Sequence, residues 1–292
     1  IQDWAISMAH LDERLKTIPK GEKETVMDEE TYKKWQKYDE NKRTQGDTEL
    51  IKLLRGKDVS KIKNMIRSVD RRMINQPNNL GNTPLNIACQ YQTKEVIELL
   101  LKYGADASIN AQHTDGWTPL SIVCRSQTKE VKEVIELLLK HGAKESINTP
   151  NIDGMTPLSF ACRYQTKEVI ELLLKYGAKE SINTPNINGR TPLSFACRYQ
   201  TKEVIELLLK YGAKESINTP NIDGRTPLSF ACRNQTKEVI ELLLNNGAKE
   251  SINTLTKDGW TALSIACRNQ TKEVIELLLN NGAKESINTL TK

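Results

Sequence analysis

The sequence predicts an all-α solenoid: helix–turn–helix units laid side by side, joined by hairpin-like finger loops and preceded by a helical N-terminal cap. Three observations predict it. Cys89, Cys124, Cys162, Cys197, Cys232 and Cys267 recur at spacings of 35, 38, 35, 35 and 35 residues in near-identical surroundings, so one structural position is copied six times. Each copy carries two short apolar-periodic stretches bounded by turn signals. Neither stretch is long enough to be stable alone, so each needs like neighbours to cover its apolar face.

Composition agrees with a thin, elongated architecture. The chain has 292 residues, 27% of them charged and 38% hydrophobic, below the roughly 45–50% of ordinary globular domains. Apolar runs are of the Leu99-Leu100-Leu101 kind, far short of the ~20 residues of a membrane span.

The copy from Ile152 to Asn186 shows the grammar. Asp153-Gly154 is a turn signal, glycine entering positive φ without a steric penalty. Thr156 is the predicted N-cap of a first helix and Pro157 its first residue, where a missing N–H costs nothing. Leu158, Ala161 and Cys162 fall at i, i+3 and i+4, giving that helix one apolar face. Thr166 is the predicted cap of a second helix, with Glu168 in the first turn facing the positive end of the helix dipole. Val169, Ile170, Leu172, Leu173 and Leu174 form its buried side, and Glu171 is set to pair with Lys175 on the wet side. Gly177 ends it as a left-handed cap, and residues 178–186 read as an extended connector.

Turn, Thr-Pro-Leu, alanine-containing short helix and a second helix ending Leu-Leu-Leu-x-x-Gly-Ala: this unit resembles the ankyrin repeat. The Thr-Pro-Leu element recurs at Thr83, Thr118, Thr156, Thr191 and Thr226, with Thr261-Ala262-Leu263 as a variant, and the resemblance covers Asn79 to Lys292. There are departures. Ser159 and its equivalents stand where the family usually has His, and Gln165-Thr166-Lys167 stands where it has Gly-His. The period is 35 rather than about 33, which predicts a longer or bulged finger. The second copy doubles Lys-Glu-Val (Lys129 to Val134), a three-residue insertion expected to distort the stack locally.

Residues 1–78 differ in texture, with 17 basic and 14 acidic side chains. Residues 1–45 read as a helical segment: Trp4, Met8, Leu11, Leu15 and Ile18 lie at helical spacing, and a second helix opening at Asp28 carries Tyr32 and Trp35. Residues 46–78 read as a degenerate ankyrin-like capping unit, Leu50 to Leu54 in one helix and Val59 to Val69 in the next, with Lys57, Lys61, Lys63 and Arg67 suited to an outer face. Residues 79–292 are six repeats. The final Leu290-Thr291-Lys292 matches Leu255-Thr256-Lys257, from which we expect the natural array to continue, or an uncapped end to associate with another.

Chemistry for catalysis is not recognisable. His10, His113 and His141 sit in unrelated contexts, no phosphate-cradling glycine loop occurs, and zinc-type C-x-x-C pairs are absent, so neither enzyme activity, cofactor nor small-molecule substrate is expected. Stacked units place equivalent residues about 8–10 Å apart, beyond disulfide reach; six free thiols fit a reducing, cytoplasmic setting. Asn234-Gln235-Thr236 and Asn269-Gln270-Thr271 are formal glycosylation sequons, read as coincidental in that setting. Nucleic acid is not favoured, because residues 79–292 carry 25 basic against 23 acidic side chains.

What remains is a surface. The resemblance implies a protein partner held along the concave side by finger tips and first helices. The residue after each finger glycine reads Asn82, Trp117, Met155, Arg190, Arg225 and Trp260. The two residues after each Ala-Cys or Val-Cys pair read Gln90/Tyr91, Arg125/Ser126, Arg163/Tyr164, Arg198/Tyr199, Arg233/Asn234 and Arg268/Asn269. The candidate partner-binding residues are therefore Tyr91, Trp117, Arg125, Met155, Arg163, Tyr164, Arg190, Arg198, Tyr199, Arg225, Arg233, Trp260 and Arg268, side-chain types that dominate binding hot spots. Such a groove suits an acidic or extended protein. Two alternatives stay open: the arginines stack on neighbouring rings as a structural ladder, or the array is structural and self-assembling.

Overall fold

The computed structural model describes residue 44 and residues 46–283. The helices expected between Trp4 and Trp35 lie outside the described residues. Among those described are fifteen α-helices and no strand. Helices α1 (Glu49–Arg55), α2 (Val59–Ser68) and the short α3 (Arg71–Asn75) precede six helix pairs: α4/α5 (Pro84–Tyr91, Lys94–Lys102), α6/α7 (Pro119–Arg125, Val131–Lys140), α8/α9 (Pro157–Tyr164, Lys167–Lys175), α10/α11 (Pro192–Tyr199, Lys202–Lys210), α12/α13 (Pro227–Asn234, Lys237–Asn245) and α14/α15 (Ala262–Asn269, Lys272–Asn280). Each first helix packs on the next first helix and each second helix on the next second helix; α1 and α2 pack in the same way on α4 and α5.

The first helices start as the sequence dictates. Thr83, Thr118, Thr156, Thr191, Thr226 and Thr261 each accept a hydrogen bond from the backbone N–H three residues on, at 3.2–3.3 Å. The serine found where the family has histidine has a matching role. Ser159 lies 3.1 Å from the Thr156 hydroxyl, and Ser121 and Ser264 close full capping boxes with Thr118 and Thr261.

Burial of the first helices exceeds the single apolar face expected. Every residue from Pro157 to Cys162 is buried, Phe160 included. A first helix is enclosed by the preceding unit, the following unit and its own second helix, so three sides are covered, not one. The second helices keep one wet side. Their exposed ion pairs run from the first lysine to the glutamate four residues on, Lys94–Glu98 at 3.4 Å, Lys202–Glu206 at 3.4 Å and Lys272–Glu276 at 3.3 Å, and not from glutamate to the later lysine as expected of Glu171 and Lys175. Thr166 makes no side-chain bond to the helix backbone; instead its hydroxyl meets the Glu168 carboxylate and holds that group below the usual carboxylate range.

The finger is not lengthened by the 35-residue period. Asn186 donates its backbone N–H to Arg190 O at 3.0 Å and Gly189 donates to Asn186 O at 2.8 Å, a tight turn. Between the second helix and the finger the connector forms a 3₁₀ turn, Ala178–Ser181, whose following Ile182 is buried. Fingers are linked in series: Ile152 N–H donates to Asp115 O (3.0 Å), Ile187 to Asp153 O (2.9 Å), Ile222 to Asn188 O (3.0 Å) and Lys257 to Asp223 O (2.8 Å). A Cβ on Gly154, at φ +71°, would lie 3.0 Å from Asn186 Cα, so that position needs glycine for backbone angle and for close approach.

Two side-chain ladders link successive repeats. Asn148, Asn183, Asn218 and Asn253 each donate Nδ2 to the glycine carbonyl that ends the next second helix, at 3.1 Å. Gln200, Gln235 and Gln270 each donate Nε2 to the backbone oxygen of the glutamine one repeat earlier, at 3.0 Å. The insertion in the second repeat interrupts this second ladder: α6 ends early, α7 starts at Val131, and Gln165 donates to Cys124 O and Ser126 O instead. The predicted distortion is thus a local change of partner.

Candidate functional site

The fingers and the C-terminal ends of the first helices lie beside each other: Arg125, at the end of α6, stacks over Trp117 of its own finger, and Arg225, Arg233, Trp260 and Arg268 line one cleft. At the base of each turn one side chain accepts backbone N–H bonds. Asn151, Asn186 and Asn221 do so through Oδ1, as in the bonds from Met155, Arg190 and Arg225 at 2.9, 2.9 and 2.8 Å. Thr256 accepts from Trp260 N–H at 3.0 Å, and His113 accepts from Asp115 N–H through Nδ1 at 3.0 Å. The bonds from Met155, Arg190, Arg225 and Trp260 hold the backbone of the residue after the glycine.

That residue points toward the first helix of the next repeat. Trp117 stacks on Phe160, ring centroids 4.5 Å apart, and the Arg190 guanidinium lies 5.6 Å from the Phe230 ring centroid. Met155 is different: it is 5% exposed, with Asn186 Nδ2 3.5 Å from its sulfur. Its inclusion among candidate contact residues is corrected, since a thioether with no charge to keep wet is drawn into the finger interface.

Arginine–tyrosine stacking follows along the helix ends. Arg163 lies 5.0 Å from the Tyr164 ring centroid and 5.8 Å from that of Tyr199; Arg198 lies 5.1 Å from Tyr199, and Arg125 lies 5.1 Å from Trp117. Arg55 of α1, not among the candidates, stacks over Tyr91 at 5.9 Å and pairs with Asp47 at 2.7 Å. The structural-ladder alternative therefore describes part of this face. It does not extend to Arg225, Arg233 and Arg268, whose guanidinium groups form no ion pair, hydrogen bond or ring contact among the described residues. Arg225, Arg233 and Arg268 line one cleft with Trp260.

Arg190 is the electrostatic focus. Burial foremost, then the positive charge of Arg198, lowers its pKa from the ordinary arginine value, with Arg163 acting in the same direction. Its Nε is sealed from solvent and makes no hydrogen bond.

Sequence reasoning missed an apolar ridge at the finger tips. Ile152, Ile187 and Ile222 are 64%, 63% and 51% exposed. The signal was present: each follows the turn asparagine, where a side chain is directed away from the stack.

The six helix pairs are each opened by a threonine cap, closed by a left-handed glycine and linked by finger turns. The family model described as ankyrin repeats (3 copies) matches residues 42–150, 105–184, 131–221 and 213–289. The chain belongs to the ankyrin-repeat family. Ankyrin repeats are generally protein-interaction modules and typically non-catalytic. No curated protein matches the chain. In this ankyrin array no group of three or more His, Cys, Asp or Glu side chains among the described residues is placed to hold a metal ion. No helix among the described residues is long and apolar enough to cross a membrane.

Proposed function

We propose that this ankyrin array is a non-catalytic scaffold that holds an acidic, extended protein segment along its concave face, the face of fingers and first-helix ends. One observation carries the reading: Arg190 is half-buried beside Arg163 and Arg198, with a sealed Nε that no acceptor meets. Gathering like charges at partial burial is unfavourable, and a partner's carboxylates offset it. Tyr91, Trp117, Arg125, Arg163, Tyr164, Arg198, Tyr199, Arg225, Arg233, Trp260 and Arg268 complete the surface, with the stacked pairs presenting rings and guanidinium edges as rigid anchors. Residues 46–78 serve as a cap: Lys57, in the turn before α2, and Lys61 on α2 are in solvent, while Ile62 and Ile66 are buried toward the stack. The buried free thiols of five repeats favour a reducing, cytoplasmic setting.

The test is charge reversal at Arg190 and Arg225 together. The double variant is expected to melt like the parent and to lose the proteins the parent captures from a cell extract, and parental capture is expected to weaken as salt rises. Capture that is unchanged in the double variant overturns the assignment of this face.

A further inference from the structure

The geometry points to a discrete pocket between the fifth and sixth repeats that takes an aromatic anion: a ring seated on Trp260 whose negative group is held by Arg225, Arg233 and Arg268. The inference rests on the proposed partner-binding face and names what one part of it recognises.

The cleft has a volume of about 320 Å³, at the lower end of the roughly 300–1,000 Å³ of small-ligand pockets and of a size for one side chain rather than a drug-like molecule. Its walls are of two kinds. Trp260 supplies accessible ring surface, with the buried Phe230 behind it; Arg225, Arg233 and Arg268 supply three guanidinium groups, against the single carboxylate of Asp258. The local balance is thus two positive charges.

At the other end of the same face the protein satisfies its own arginines. The cleft at the other end of the array is lined by Arg55 and Arg125 together with Tyr91 and Trp117. There Arg55 is paired with Asp47 and stacked on Tyr91, and Arg125 is stacked on Trp117, whose ring in turn packs on Phe160. In the cleft of the fifth and sixth repeats the three guanidinium groups form no ion pair, hydrogen bond or ring contact among the described residues, Asp258 included. Arg233 and Arg268 sit at one repeated position without the tyrosine that follows Arg163 and Arg198; asparagine replaces it at Asn234 and Asn269. The guanidinium groups are consequently left for an external acceptor, and the missing rings leave room for one from a ligand.

Planar guanidinium groups bind carboxylates and phosphates bidentately, and a ring lying on an indole gains stacking that a bare anion does not. Two peptide sources share this chemistry: a phosphotyrosine, which carries a charge near −2 at neutral pH, and a tyrosine or phenylalanine next to an acidic residue.

The experiment is isothermal titration of the full chain at low salt with phenyl phosphate and with inorganic phosphate. Phenyl phosphate is expected to bind about tenfold more tightly than phosphate, the increment that ring stacking supplies. Trp260→Ala is expected to bring the two ligands to equal affinity, and Arg225→Gln/Arg268→Gln to abolish both. Arg233→Gln, a change at an exposed site, gives the same loss in a variant whose fold is not at risk. Equal binding of the two ligands by the parent chain, or phenyl phosphate binding that survives the arginine changes, overturns the pocket. Two short peptides then separate the sources, one with phosphotyrosine and one with tyrosine followed by aspartate; binding of the first alone assigns the phosphorylated form, binding of the second at equal strength assigns the acidic–aromatic form, and binding of neither overturns the assignment to a peptide side chain. Because the small probes do not involve a protein partner, the pocket stands or falls separately from the Arg190/Arg225 capture test.

Discussion

Gln235 donates its side-chain amide to the backbone oxygen of Gln200 across 3.0 Å, and Gln200 makes the same bond to Gln165. Each glutamine is donor to the repeat before it and acceptor for the repeat after it. The residue thus acts as a connector between repeats at the end of the first helices, in the place where the family usually carries a Gly-His pair.

Gln235→Ala removes one rung and leaves the Gln200 oxygen unpaired in a partly buried position. A loss of about 1–3 kcal/mol is expected, read from the urea midpoint. Amide exchange is expected to accelerate first in the fourth and fifth repeats.

Gly154→Ala places a Cβ at φ +71° and 3.0 Å from Asn186 Cα. Holding a non-glycine residue there costs about 1–3 kcal/mol, and the clash is with backbone, which cannot rotate away. The local readout is the Ile187 N–H, which donates to Asp153 O at 2.9 Å and is expected to lose exchange protection before the helices do.

His113 gives the array a mild acid sensitivity. Its Nδ1 accepts the Asp115 N–H, and burial lowers its pKa below the ordinary histidine value although Asp115 opposes the shift. A base whose folded pKa is depressed contributes stability that is present above the unfolded value of 6.5 and is lost as pH falls through the folded one. Denaturation midpoints are expected to decline below that pH. His113→Asn, which installs the acceptor used at Asn151 and Asn186, is expected to remove this component of the decline while preserving stability at pH 8.

Thiol reactivity reports the stacking directly. Cys89, Cys124, Cys162, Cys197 and Cys232 are buried while Cys267 is exposed. Burial pushes the Cys232 thiol up to about 12 and the other four buried thiols above the ordinary range, so none carries appreciable thiolate at neutral pH. One thiol per chain is expected to react promptly with a disulfide reagent in native buffer, and all six in denaturant. Prompt reaction of two or more native thiols contradicts the packing.

Much of this fold was legible in the sequence because its local signals are strong. Thr156 and Pro157 specify a helix start by their own chemistry, and Gly177 specifies its end. What depended on the neighbouring repeat was not legible. Phe160 is buried by the unit beside it and not by its own helix, so a period-of-four reading leaves it out. The partner of Gln200 lies 35 residues away, and no spacing within a repeat reveals it. At the candidate site the same uncertainty appears at one position with two outcomes: Met155 turns into the finger interface, whereas Arg190 stays half-buried over Phe230 with its charge unmatched. Side-chain polarity decided between them, after the backbone had placed both alike.

The central claim is that short apolar faces are hidden by like neighbours in a row, so that stability passes from repeat to repeat. Leu173, fully buried on α9, is the point at which to test it. Leu173→Ala is expected to cost about 2–5 kcal/mol through the cavity it leaves. Residue-by-residue hydrogen exchange on that variant is the direct measurement: the account predicts protection lost most in the third repeat, less in the second and fourth, and least in the first and sixth. Equal loss across all six repeats would contradict it.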